Sequence, residues 1–172
     1  PFQFYYEDLS VFDFNCIEWH WHTELEFIYI ESGTVTLWIG EDQFHLTEGN
    51  GVFINTKVLH RLYSPSKALI PNFVFMPSFI APCDSLIYQK YILPIISSSL
   101  PFLVFHKKVC WQAKVLSIMR QIISAQDSVL SKELLTSSLL QNLWLEIFEN
   151  TDISYQEEHK DHSTASQARL QL

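Results

Sequence analysis

Residues 19–64 read WHWHTELEFIYIESGTVTLWIGEDQFHLTEGNGVFINTKVLHRLYS. Short apolar runs, rich in β-branched and aromatic residues, are broken at close intervals by Gly, Asp or Asn. That is the pattern of successive strands in an all-β unit. Side chains alternate along a strand, so His20, His22, Glu24, Glu26, Ile28 and Ile30 share one face and Trp19, Trp21, Leu25, Phe27 and Tyr29 the other. The first face is polar and then aliphatic, and the second is large and apolar. A strand with both faces committed belongs to a sandwich or barrel that holds something inside.

The flanking chain extends the pattern. Gly33 to Ile39 alternates weakly, Gly40-Glu41-Asp42-Gln43 reads as a hairpin turn into Phe44–Leu46, and Glu48-Gly49-Asn50-Gly51 as a tight turn whose glycines permit positive φ. Val52–Ile54 reads as a short buried strand, and Leu69–Met76 as a late one in which Pro71 suits an edge or a bulge. Upstream, Pro1–Ser10 is read as an edge strand burying Phe2 and Phe4, in preference to a mobile arm, and Val11–Trp21 as a further strand.

The spacing His20-x-His22, Glu26, Gly33 resembles the first cupin motif, and Gly49 to His60 resembles the second. The second departs from the pattern: Asn55 stands where proline is usual, Lys57 where glycine is usual, and no asparagine follows His60 at the expected place. Among cupins the wording is most similar to the amino-terminal, effector-binding domain of AraC-type bacterial transcription regulators. The resemblance implies a mainly β jelly-roll barrel over residues 1–80, followed by a helical dimerisation segment over 81–150. It further implies a linker and the truncated start of a helix-turn-helix DNA-binding domain over 151–172.

Beyond Pro77 the period changes. Asp84–Ile92 reads as a short helix ended by Pro94, and Val109–Ser124 repeats apolar residues at helical spacing. Ser131–Asn150 is a second helix whose apolar residues spread too widely for one stripe. Its Leu135, Leu139, Leu143, Trp144 and Ile147 are expected to form a homodimer interface, the alternative being burial against the rest of the chain.

A chain of 172 residues holds one ordinary core. Its formal charge of −8, with no basic run beyond Lys107-Lys108, disfavours phosphate, so DNA is expected to be contacted only through the missing domain. Cys16, Cys83 and Cys110 form no Cys-x-x-Cys pair, which points to reduced thiols and a cytoplasmic protein. No segment reads as a signal peptide or a membrane span. The start at Pro1 is read as that of a trimmed fragment.

His20, His22, Glu26 and His60 supply three imidazoles and a carboxylate, a set able to hold zinc, iron, nickel or manganese. The same four residues also serve as a metal-free polar cluster in which buried groups satisfy one another. The favoured reading is recognition of a small-molecule effector, a sugar as first guess, by His20, His22, Glu26, Trp38, His60 and Asn72, with no cofactor and no catalytic residue. The alternative is a metal-dependent cupin enzyme, an isomerase or dioxygenase.

Overall fold

The long strand expected across the two histidines is interrupted. In the computed structural model, which describes residues 2–152, it divides into β2 (Cys16–His20) and β3 (Leu25–Tyr29), joined by a connection at residues 21–24. Trp19 and Trp21 therefore do not continue the apolar face of β3, and both are exposed. Within β3 the two-faced reading holds, because all five residues are buried.

The remaining strands are β1 (Phe2–Asp8), β4 (Thr34–Ile39), β5 (Asp42–Thr47), β6 (Gly51–Ile54), β7 (His60–Tyr63), β8 (Leu69–Phe75) and β9 (Phe102–Phe105). They form two antiparallel sheets, ordered β1-β8-β3-β6-β9 and β2-β7-β4-β5. Ile28, Val35, Leu37, Val52, Leu62 and Ile70 belong to the apolar layer shared by the two sheets. The architecture is mainly β, two packed antiparallel sheets followed by helices, as expected of a cupin-type jelly roll with a helical segment.

Four local features differ from the sequence expectation. The stretch before β2 is two short 3-10 turns, Leu9–Val11 and Asp13–Asn15, rather than a strand. β8 lies inside its sheet, not at an edge, yet its Pro71 sits at an irregularity. The ladder from Leu25↔Phe75 to Ile28↔Asn72 gives way to an isolated bridge Ser32↔Leu69, one residue out of step. A residue with no N–H is tolerated where the ladder is already broken. Pro94, expected to stop a helix, instead lies in the first turn of α1 (Leu93–Ile96), which continues a π-turn at Tyr88–Ile92. Gly51 carries no positive φ, and its missing side chain makes room for Leu116 and Met119.

β9 falls within the segment expected to be helical and extends the barrel sheet past β6. It is short and follows a serine-rich loop, so nothing in its own composition announces it. Asn55 anchors the chain leading to it. Its amide donates to Ile95 O (3.2 Å) and Leu100 O (2.9 Å), and its backbone N–H to Pro101 O (2.9 Å). Proline at that position would have none of these donors.

Two helices, α2 (Cys110–Ala125) and α3 (Lys132–Asn150), fall close to where periodicity puts them. They cover the outer face of the five-stranded sheet, where Leu25, Phe27, Phe53, Phe73 and Phe75 meet Met119, Leu140 and Trp144 in one continuous core. This packing corrects the interface expectation. Leu139, Leu143, Trp144 and Ile147 are buried against their own chain, and of the five named residues Leu135 alone is exposed, at 41%. Most of the wide apolar surface of α3 is used up by its own sheet and by its neighbour α2, while Leu134, Leu135 and Leu145 stay exposed. The expected linker and helix-turn-helix start lie outside the described residues from residue 153 onward.

Candidate functional site

The site is built by a mismatch of one residue. β2 pairs with β7 as Cys16↔Tyr63 and Ile17↔Leu62, and then, after a slip, as His20↔His60. Ile17 and His20 are three apart and would point to opposite faces of a regular strand. The bulge restores them to the same face, and bulges commonly re-aim side chains in this way. His20 from β2 and His60 from β7 thus face Glu26 of β3 in the opposite sheet. His22, in the connection, completes the group.

That connection is tied down by Lys57, whose N–H donates to His22 O at 2.7 Å. Lys57 has φ +61°, the left-handed conformation that a glycine takes more readily. The substitution noted in the second motif therefore keeps the turn and accepts a modest strain.

Each imidazole is fixed by a carbonyl two residues away in sequence: His20 Nδ1 to Glu18 O (2.7 Å), His22 Nδ1 to Glu24 O (3.1 Å) and His60 Nδ1 to Val58 O (2.9 Å). A ring that donates its Nδ1 proton presents Nε2 as the remaining donor atom, the usual outer-shell arrangement around a metal ligand. Glu26 Oε2 lies 3.0 Å from both His22 Nε2 and His60 Nε2. The contact with His60 is short but poorly aligned. This fully buried nitrogen makes no hydrogen bond among the described residues. One ligand atom from each of the four residues lies within 4.8 Å of all the others. Three imidazoles and a carboxylate converging around an unpartnered buried nitrogen fit a divalent cation.

Burial pushes the Glu26 carboxyl up, but the His22 and His60 nitrogens outweigh it and bring the group down to about 2. His22 is raised, first by its bond to Glu26, and His20 is lowered, first by burial. The signs define a pH window for the metal-free chain. A lowered Glu26 stabilises the fold above its unfolded value near 4.5, and that contribution is lost as pH falls towards 2. A raised His22 stabilises below 6.5, and loses its effect as pH rises through its folded value. In chelator, the stability that this pair adds is therefore expected to be greatest between about 4.5 and 6.5. Thermal melts across that range check it: Glu26→Gln should flatten both flanks, and unchanged flanks would remove the pair as their cause.

Around the cluster opens a cavity of about 260 Å³. β3 contributes Glu26 and Ile28 to it, β8 contributes Ile70, Asn72 and Val74, and β1 contributes Gln3, Tyr5 and Glu7. Ile17 and Leu62 close it from the other sheet, with Glu24 at the rim. Of the expected effector residues, His20, His22, Glu26 and Asn72 line this cavity, and His60 lies directly behind Glu26. Trp38 does not. It alternates with the inward Leu37 and Ile39, so it lies on the outer face of the four-stranded sheet, under the Arg61 guanidinium at 5.1 Å and near Tyr63. Sequence reasoning missed Gln3, Tyr5 and Glu7. Their alternation with Phe2, Phe4 and Tyr6 was the available signal once β1 was accepted as a strand.

With this geometry in view, comparison with known proteins is informative. The family model described as "Cupin domain" matches residues 16–70. Residues 16–70 are thus similar to the cupin family. The curated relative "Uncharacterized HTH-type transcriptional regulator YdeC" of Bacillus subtilis (strain 168) is 27% identical over 107 residues. The match covers 60% of this chain and 36% of that protein, so the chain spans about a third of the relative's length. Two crystal structures of ToxT from Vibrio cholerae share the fold well beyond the cupin domain. One has a TM-score of 0.58 at 11% identity, covering 88% of this chain and 55% of that one. The other has 0.54 at 14%, covering 88% and 60%. The likeness thus takes in the helices as well as the cupin domain. Among the described residues no helix is long and apolar enough to cross a membrane.

Proposed function

We propose that this chain is the effector-sensing and dimerisation part of an AraC-type transcription regulator, acting in the cytoplasm on a DNA-binding domain beyond the described residues. The observation that carries the reading is the polar cavity within a cupin domain whose sequence relative is an HTH-type transcriptional regulator. A route for coupling accompanies it. In β3 and β8, alternate residues face the cavity (Glu26, Ile28, Asn72) and the helical core (Phe27, Phe73, Phe75). A molecule held by the first set lies one strand's thickness from the helices. It shifts their arrangement to the extent that it binds one arrangement better than another. Self-association, if through α3, uses its exposed leucines, Leu134, Leu135 and Leu145. A sugar retains the carboxylates as partners but loses the stacking surface expected of Trp38. A thermal-shift screen of metabolites tests the reading, because a ligand of the folded state raises Tm. A hit must also alter operator binding by the full-length regulator; a hit without that effect rejects sensing.

A second reading is favoured by one observation, the convergence of His20, His22, His60 and Glu26 on a common point. These four residues would hold a divalent metal, which supplies a Lewis acid at the end of the cavity, as a metal-dependent isomerase or dioxygenase requires. The chain's own part is to keep the imidazoles oriented through Glu18, Glu24 and Val58 carbonyls and to shield one side of the site with Ile17 and Leu62. After chelation, the chain is expected to bind one equivalent of Zn²⁺ or Mn²⁺ by calorimetry. His60→Ala should weaken that binding roughly 100-fold or more, since even outer-shell losses cost 10–100-fold. Equal binding by the variant would show that the cluster is not the metal site.

A further inference from the structure

The cavity has a second pole, away from the histidines. On the inner face of the five-stranded sheet, Glu7 of β1 stands beside Asn72 of β8. Asn72 donates its amide protons to Glu7 Oε2 at 2.7 Å and to Ile70 O at 3.2 Å. Tyr5 donates to Gln3, so the polar neighbours on β1 satisfy each other. Among the described residues both hydrogen bonds of the Asn72 side chain are donated by its nitrogen, leaving Oδ1 open, and the Glu7 carboxylate has Asn72 alone as hydrogen-bond partner. A carboxylate has about four acceptor positions, so most of this one's capacity is open.

We propose that this pole takes the primary ammonium group of a small amine, and that such an amine is the class of effector sensed. The inference rests on the sensing reading above. An ammonium group brings three N–H donors and one positive charge to two adjacent unfilled acceptors, one of them a carboxylate. The cavity lining carries Glu7, Glu24 and Glu26 and neither lysine nor arginine, so an anionic group at this end would meet repulsion with no counter-charge. Burial, and then the charge of Glu26, raise the Glu7 carboxyl above its usual range, and Asn72 offsets this only in part. A cation is what that environment lacks. Between the poles Ile17, Ile28, Leu62, Ile70 and Val74 give apolar walls suited to methylene groups. A sugar is served less well, because Tyr5 is the lining's one aromatic ring apart from imidazoles. The assignment holds whether or not a metal occupies the histidine end, since the two poles use different residues.

The test uses the chain in EDTA, with butylamine and 1,4-diaminobutane set against 1-butanol and butyrate, by thermal shift and calorimetry. The amines are expected to raise Tm with concentration and to bind at least tenfold tighter than 1-butanol or butyrate. Glu7→Gln should remove at least tenfold of that preference. If Glu7→Gln fails to fold, nuclear Overhauser contacts from the bound amine's methylenes to Ile28 and Ile70 methyls place it in the wild-type cavity. Their absence overturns the assignment. So does equal binding of 1-butanol or butyrate, no binding of either amine, or a folded Glu7→Gln that keeps the full preference. Any of these leaves the sensing reading standing, which falls separately if no cavity ligand alters operator binding by the full-length regulator.

Discussion

Trp144→Ala is expected to destabilise the fold by about 3–5 kcal/mol, the cost of removing a large aromatic side chain from a packed core. The indole is 3% exposed, meets Phe53 edge-on at 5.9 Å, and donates Nε1–H to Tyr91 O at 2.9 Å. Truncation leaves both a void against the sheet and an unpaired carbonyl, and the two losses add. For a chain of this size each kcal/mol moves Tm by about 2–4 °C, so a fall of about 6–20 °C should be seen. The partner measurement is sedimentation of Leu135→Asp, whose exposed side chain should leave Tm nearly unchanged. A Trp144→Ala protein that melts like the wild type but sediments as a smaller species would show that α3 packs between subunits, contrary to the burial described here.

Gly33→Val should be comparably damaging, for a different reason. Gly33 has φ +88°, and a Cβ built there would lie 2.6 Å from Lys67 O and 2.9 Å from both Ala68 Cα and Cβ. Backbone cannot move aside as the end of a flexible side chain can. Left-handed strain costs about 1–3 kcal/mol and overpacking a similar amount, giving about 2–6 kcal/mol together. Gly40→Ala is the control: φ is +58°, but nothing lies within 4 Å of the added carbon, so only the milder conformational cost, about 1 kcal/mol, applies. If both variants melt alike, the crowding against residues 67–68 contributes nothing.

Much of the site was legible before the structure because its chemistry is local. His20, His22, Glu26 and Gly33 lie in one short stretch, and strand alternation correctly assigned the inward face of β3. What escaped depended on partners. The inward turn of His20 needs the bulge against β7, which no property of residues 16–20 reveals. Trp38 lies outside because of its register between β5 and β7. Glu7 became a cavity residue only through pairing with β8, more than sixty residues away in the chain.

The same division holds for the whole protein. Sequence alone determined that the chain builds a two-sided β unit with a histidine and glutamate cluster and two following helices. Periodicity and motif spacing are carried by neighbouring residues. Tertiary structure decided which apolar faces are used up internally, where β9 closes the sheet, and what the cavity offers a ligand. Those outcomes depend on which distant segments come to lie side by side. An apolar stripe along α3 has the same pattern whether its partner is a second subunit or the protein's own sheet, and only packing distinguishes them.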